Sequence, residues 1–188
     1  MRLAAERADV VSLSGIGPTG SDGGTHGTAG FPPEAVDVRV ALVRAASGRR
    51  DIELQALVQR VIVTDDPRGT AERARESLPE LSVDDILGTP YLWIGTIGSI
   101  CEGVLAARER WGFSYFTVFN DSIEAVTPIV NSLAAPDRPR PAGRAQNRTR
   151  TPNVILASQS ERTDRRFCRR AAAHRTTVWS RRAIQGLA

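Results

Sequence analysis

The sequence predicts an α/β fold in which helices alternate with short buried strands, and three observations carry that prediction. Apolar residues at Ile97, Ile100, Cys101, Val104 and Leu105 follow the i, i+3, i+4, i+7 spacing of a one-faced helix. Phe113 to Phe119 (FSYFTVF) is a β-branched and aromatic run, the pattern of a strand covered on at least one face. Helical spacing then resumes at Ile123, Val126, Ile129, Val130 and Leu133. Helix into strand into helix is one lap of an α/β fold.

The elements follow in chain order. Arg2 to Arg7 read as the last part of a helix with no N-terminal turn of its own, which leads us to expect further chain upstream. Ala8 to Ser14 is a short buried strand. Gly15 to Pro33 is a loop with seven glycines between Gly15 and Gly30. Glycine-rich loops after a strand can cradle phosphate, but neither a P-loop nor a GxGxxG running into a helix is present, so a surface loop is the simpler reading. His26 lies in this loop without a visible partner. Pro32-Pro33-Glu34 opens a helix with proline in its first turn and an acid at the positive end of its dipole. Its inner face is Val36, Val40 and Val43, and Gly48 stops it. Ile52 to Thr64 is read as one long strand interrupted by Gln55, Gln59 and Arg60. Such polar groups either point into a site or face solvent at an edge.

Asp65-Asp66-Pro67 caps a helix over RGTAERARESL, and Ser82 to Asp85 is a capping box for a short helix ending at Gly88. Thr96 caps the helix that Gly112 terminates in a left-handed turn. Asn120, Asp121 or Ser122 caps the last one. Strands separated by helices imply parallel pairing. Three such strands are too few to close a core, so the expected fold is an incomplete (β/α)8 TIM-type barrel, or a doubly wound sheet, with most strands absent.

Charge divides the chain. Residues 1–135 hold 12 arginines against 18 acids, residues 136–188 hold 13 against 3, and there is no lysine. The division falls where composition changes, giving residues 1–134 as the folded part and 135–188 as an Arg/Pro-rich tail. Arg-Pro alternation disfavours regular structure at the start of the tail. Three readings of the tail stay open: a nucleic-acid or acidic-partner arm, a disordered extension, and an out-of-frame translation of GC-rich DNA. The last two rank first, because aromatic interleaving is limited to Phe167 and Trp179. Cys101 sits on an apolar helix face and reads as a core thiol; Cys168 is isolated in the tail. No apolar run approaches the ~20 residues that span a bilayer, and no signal peptide is evident, so a cytoplasmic protein is expected.

The segment from Thr89 to Ala134 carries a family resemblance. Ile94-Gly95-Thr96, Arg108-Glu109-Arg110 with Gly112, Ser114-Tyr115 with Val118-Phe119, Asp121 with Glu124-Ala125, and Pro128 with Val130 resemble the C-terminal end of the luciferase-like monooxygenases. The narrower likeness is to their deazaflavin-dependent oxidoreductases. LAAERADVVSLSG resembles the helix and strand after that family's phosphate loop, and ELQALVQRVIVTDD its penultimate strand. The resemblance implies a (β/α)8 barrel enzyme that transfers hydride between coenzyme F-420, or alternatively FMN, and a small organic substrate. It also implies that this chain holds only the C-terminal half, inactive alone and open to self-association. Sites in such barrels gather at the carboxyl ends of the strands. That leaves Ser14 and Gly15 as cofactor-binding candidates. Asn120 and Asp121 are weaker ones, better explained as helix caps. No catalytic or metal-binding residue is assigned. The rival class is a non-enzymatic module whose tail holds nucleic acid or an acidic partner; contact with a membrane or with nucleic acid is not expected.

Overall fold

Proline at the start, valines at one-turn spacing and glycine at the end define the helix Pro33–Ser47 (α2), which buries Val36, Val40 and Val43 and ends at Gly48 with φ +63°. The same devices recur along the chain in a computed structural model that describes residues 2–17, 27–48, 50–134 and 153–157. Before α2 come α1 (Arg2–Arg7) and β1 (Val10–Leu13). After it come β2 (Glu53–Val58), β3 (Arg60–Val63), α3 (Pro67–Ala74), α4 (Val83–Gly88) and β4 (Leu92–Gly95). The chain continues through α5 (Ile97–Trp111), β5 (Phe113–Phe119), α6 (Ile123–Ala134) and β6 (Asn153–Ala157).

The predicted caps form. Asp66 accepts from the Gly69 amide at 2.9 Å. Ser82 and Asp85 exchange both capping-box bonds, Thr96 accepts from the Ser99 amide, and Gly112 takes the left-handed conformation at φ +79°. α3 ends at Ala74, four residues short of the predicted Leu78, because the chain tightens into turns at Arg75 and Glu76. Asn120 to Ser122 do not cap α6 as expected. They form a 3-10 turn with no side-chain cap, in which the Ser122 hydroxyl donates to Asp121 at 3.3 Å.

Every strand pairing is parallel. β1, β2, β5 and β6 form one sheet in that order, and β3 with β4 forms a second. The α/β class is as predicted, while the described strands form an open sheet and a separate pair, not a closed (β/α)8 barrel. Three further expectations change. The long strand over Ile52–Thr64 is two strands in different sheets, parted at Gln59, whose amide leaves the main ladder to bond the Tyr91 carbonyl at 2.7 Å. Leu92 to Gly95, unread as a strand, pairs with β3 along its full length. Just past the Arg-Pro segment read as lacking regular structure, the tail contributes a strand that was not predicted, β6, paired with β5 from Tyr115↔Asn153 to Phe119↔Ala157. The remainder of the tail, with Cys168, Phe167 and Trp179, lies outside the described residues.

One face of the main sheet is covered by helices. Val11, Leu13, Leu54, Ala56, Val58, Phe116 and Val118 are all buried there, together with Ile100, Cys101 and Val104 of α5 and Val126 and Ile129 of α6. The Cys101 thiol is fully buried, with Sγ 3.7 Å from the Ile129 carbonyl, as expected of a core thiol. A row of aromatic rings runs through this layer. Trp111 meets Phe113 at 6.0 Å, Phe113 meets Phe116 at 6.1 Å, and Phe116 meets Trp93 of β4 at 5.5 Å.

α2 and α5 are clasped at their outer ends. Arg110 donates Nε and Nη2 to the two oxygens of Asp37, at 3.0 and 2.6 Å, and Trp111 Nε1 adds a third bond at 2.6 Å. The Arg110 guanidinium beside it holds the Asp37 carboxyl below its usual 3.8. Both partners are about half exposed, which keeps such a pair to about 1 kcal/mol or less. A carboxyl with a lowered folded pKa stabilises above its unfolded value and loses that contribution as pH falls through the folded one. Asp37→Asn is therefore expected to lower stability by about 1 kcal/mol near neutrality. The gap to the wild type should close below the ordinary carboxylate range, as chemical denaturation at a series of pH values would show.

Candidate functional site

Open parallel sheets bind ligands outside the carboxyl ends of their strands, where the connecting loops part. Here β1 runs out into Ser14 and Gly15, β2 into Gln59, and β5 into Asn120 and Asp121. Gln59 ties the first two together, its Nε2 donating to the Ser14 carbonyl at 3.3 Å. Arg60, the next residue, places Nη1 3.9 Å from Asp121 Oδ2. The structure therefore places two polar pairs at three strand ends, Ser14 with Gln59 and Arg60 with Asp121, linked through the adjacent backbone of Gln59 and Arg60. Asn120 and Asp121 are exposed there, and Ser14 is half-buried.

Gly15 is held by close packing. It is buried with φ +71°, and a Cβ on it would meet Tyr91 Cδ2 at 2.5 Å and Phe31 Cδ2 at 2.8 Å. The two rings close over it and meet one another at 5.5 Å, tilted by 59°. Its glycine identity thus follows from backbone conformation and close packing. Burial pushes the Tyr91 hydroxyl up to about 12, with the nearby Arg39 charge pulling the other way. That hydroxyl is fully enclosed, and Arg39 does not approach it in hydrogen-bonding alignment.

A second polar surface lies on the sheet face turned away from the helices. Register places Ser12 beside Gln55, Gln55 beside Tyr115, and Leu57 beside Thr117 on this face. Gln55 Nε2 donates to the Thr117 hydroxyl. The side chains of Gln55, Leu57 and Tyr115 are half-buried, and Ser12 is exposed. Of the polar residues that broke the long strand prediction, Gln55 thus belongs to this open face and Gln59 and Arg60 to the strand-end cluster. Tyr91, Tyr115 and Thr117 were missed. The alternation of Tyr115, Thr117 and Phe119 against Phe116 and Val118 is a two-residue period that separates the faces. The extra residue at Ser114 breaks that period at the start of the strand.

The cluster offers backbone groups, one amide side chain and one exposed ion pair, so it is suited to holding and orienting a ligand. His26 lies outside the described residues. Among the described residues no group of three or more His, Cys, Asp or Glu could hold a metal ion, and no helix is long and apolar enough to cross a membrane. Comparison with family models, with curated proteins and with solved structures finds no match.

Proposed function

We propose that residues 1–134 are the C-terminal βα units of a luciferase-like oxidoreductase that transfers hydride between coenzyme F-420, or FMN, and an organic substrate. The observation that supports this reading most is the gathering of Ser14, Gln59 and Asp121 at the carboxyl ends of three parallel strands, where a barrel enzyme keeps its cofactor. The bound deazaflavin supplies the redox chemistry. Ser14 and Gly15 would lie against it, with the Ser14 carbonyl held in place by Gln59 and the loop exit set by Gly15 under the Tyr91 and Phe31 rings. The cluster carries little uncompensated charge, since Arg60 and Asp121 face each other. It fits the polar edge of a ring system better than a phosphate chain.

On this reading the chain lacks the strands that would complete the pocket, and it neither binds the deazaflavin in the micromolar range nor transfers hydride alone. A fluorescence titration with coenzyme F-420 is the measurement, and micromolar binding would overturn the expectation of an inactive piece. The family assignment is tested separately by the flanking coding sequence. Upstream codons for the earlier strands of the barrel, in any frame, support it; their absence counts against it.

A further inference from the structure

The described strands of the main sheet are all parallel, and one of its faces is less fully buried than the other. Parallel sheets occur almost only with both faces covered, because their backbone ladders and side chains are matched to a buried setting. On the other face Val10 is 42% exposed and Ser12 is exposed, Gln55, Leu57 and Tyr115 are half-buried, and Thr117 is buried. The polar pair on this face is already satisfied internally, since Gln55 donates to Thr117. Enclosing this pair therefore costs less than enclosing the two groups unpaired.

Among the described residues the main sheet has two unpaired edges, and they are of different kinds. At one edge, the Asp9 carbonyl accepts from the Glu53 amide at 2.9 Å, and Val10 is the partner of Glu53. In a parallel ladder that arrangement turns the backbone groups of Asp9, Val11 and Leu13 toward β2, and those of Val10 and Ser12 outward. At the other edge, β6 presents its far side. β1 and β6 point the same way, because every pairing between them is parallel. The sheet also has a bend built in: Leu54 pairs with Phe113 and Gln55 with Tyr115, so Ser114 is an inserted bulge residue, which bends a strand and increases its twist.

We propose that two copies of this chain associate about a twofold axis parallel to the strands. β1 of each copy pairs with β6 of the other, closing an eight-stranded parallel barrel. Four strands from each copy give the eight of the closed β/α barrel. The twofold satisfies both edges at once and encloses the open face as the barrel interior. Pairing of β1 with its own counterpart would run antiparallel and would leave that face uncovered, so it does not meet the same need. Closure also leaves the main sheet no edge with which to recruit a third copy. The inference concerns the edges and the open face alone and holds whichever cofactor, if any, the strand ends receive.

The test uses the full chain without cofactor. Size-exclusion chromatography with light scattering is expected to give twice the 20.3 kDa chain mass. Hydrogen–deuterium exchange is expected to show the Val10 and Ser12 amides slowed by about 100-fold or more, the behaviour of donors released only by cooperative opening. Ser12→Pro removes an outward donor while sparing the bonds from β1 to β2. The variant should keep the far-ultraviolet circular dichroism of the wild type and run at half the wild-type mass. A monomeric wild type, an open-ended series of larger species, or a dimer whose Val10 and Ser12 amides exchange freely would each overturn the proposal. If Ser12→Pro fails to fold, the mass and the exchange of the wild type decide it.

Discussion

Phe116→Ala is expected to cost about 3–5 kcal/mol of stability, the range for truncating a fully buried aromatic side chain. Phe116 has no exposed surface and lies where three layers meet. It is on β5 in the main sheet, it touches Phe113 on the same strand, and it is the main-sheet ring in contact with Trp93 of β4. Removing it takes away its own transfer free energy and leaves a cavity that Trp93, itself 5% exposed and held by the β3–β4 pair, cannot collapse into. Domains of this kind keep only about 5–15 kcal/mol in total, so the loss would be a large part of the whole. Thermal unfolding should fall by about 10 °C or more. Leu42→Ala is the control. That side chain lies on α2 and is 59% exposed, so its loss is expected to be about 0.5 kcal/mol or less. Equal losses at the two positions would mean that Phe116 is not enclosed in solution as it is here, and chemical denaturation of both variants decides the matter.

That contrast also shows why some of the fold could be read from the chain and some could not. Local chemistry was legible. Asp66, Ser82 and Thr96 bond the amides that their side chains can reach within three residues, and Gly112 turns left-handed where only glycine does so cheaply. The valines of α2 and the apolar positions of α5 are buried as their spacing requires. Partnership over long separations was not legible. Nothing between Ile52 and Thr64 marks Gln59 as a break, because what parts β2 from β3 is a hydrogen bond from the Gln59 amide to the Tyr91 carbonyl, more than thirty residues on. Leu92 to Gly95 is only four residues long and is a strand because β3 lies beside it. Asn153 to Ala157 is likewise a short apolar run in a basic, proline-rich setting, and β5 supplies its ladder.

The candidate site divides in the same way. Rules for parallel sheets pointed to the strand ends, and Ser14, Asn120 and Asp121 are there. The residues that join those ends, Gln59 and Arg60, were visible only as polar interruptions whose direction spacing could not settle. Their roles depend on the Ser14 carbonyl and the Asp121 carboxylate, which the fold brings up from distant parts of the sequence.

Gly15→Ala is the second large effect expected, about 2–4 kcal/mol, and it separates a packing role from a ligand-binding one. Two penalties combine. An alanine at φ +71° carries the left-handed backbone cost of about 1 kcal/mol. Its Cβ would also stand 2.5 and 2.7 Å from Tyr91 Cδ2 and Cε2 and 2.8 Å from Phe31 Cδ2. Both rings are buried to within 2% and pack against each other at a tilt, so neither can withdraw without disturbing the other. Overpacking of that kind costs about 1–3 kcal/mol. Gly112→Ala provides the comparison. Its backbone is left-handed as well, at φ +79°, but the atom its Cβ would meet first is Nη2 of Arg44, the far end of a flexible side chain that can move aside. About 1 kcal/mol is expected there, so the difference between the two variants in chemical denaturation reads out the closure of the rings over Gly15. Equal losses would show that the rings yield and that packing does not explain the glycine. Ser14, next in the chain, gives the complementary reading. Its carbonyl is the group held by Gln59, and Ser14→Ala keeps that carbonyl, so little change in stability is expected. A ligand that touches this turn through the Ser14 hydroxyl would lose affinity in Ser14→Ala without the loss of fold that accompanies Gly15→Ala.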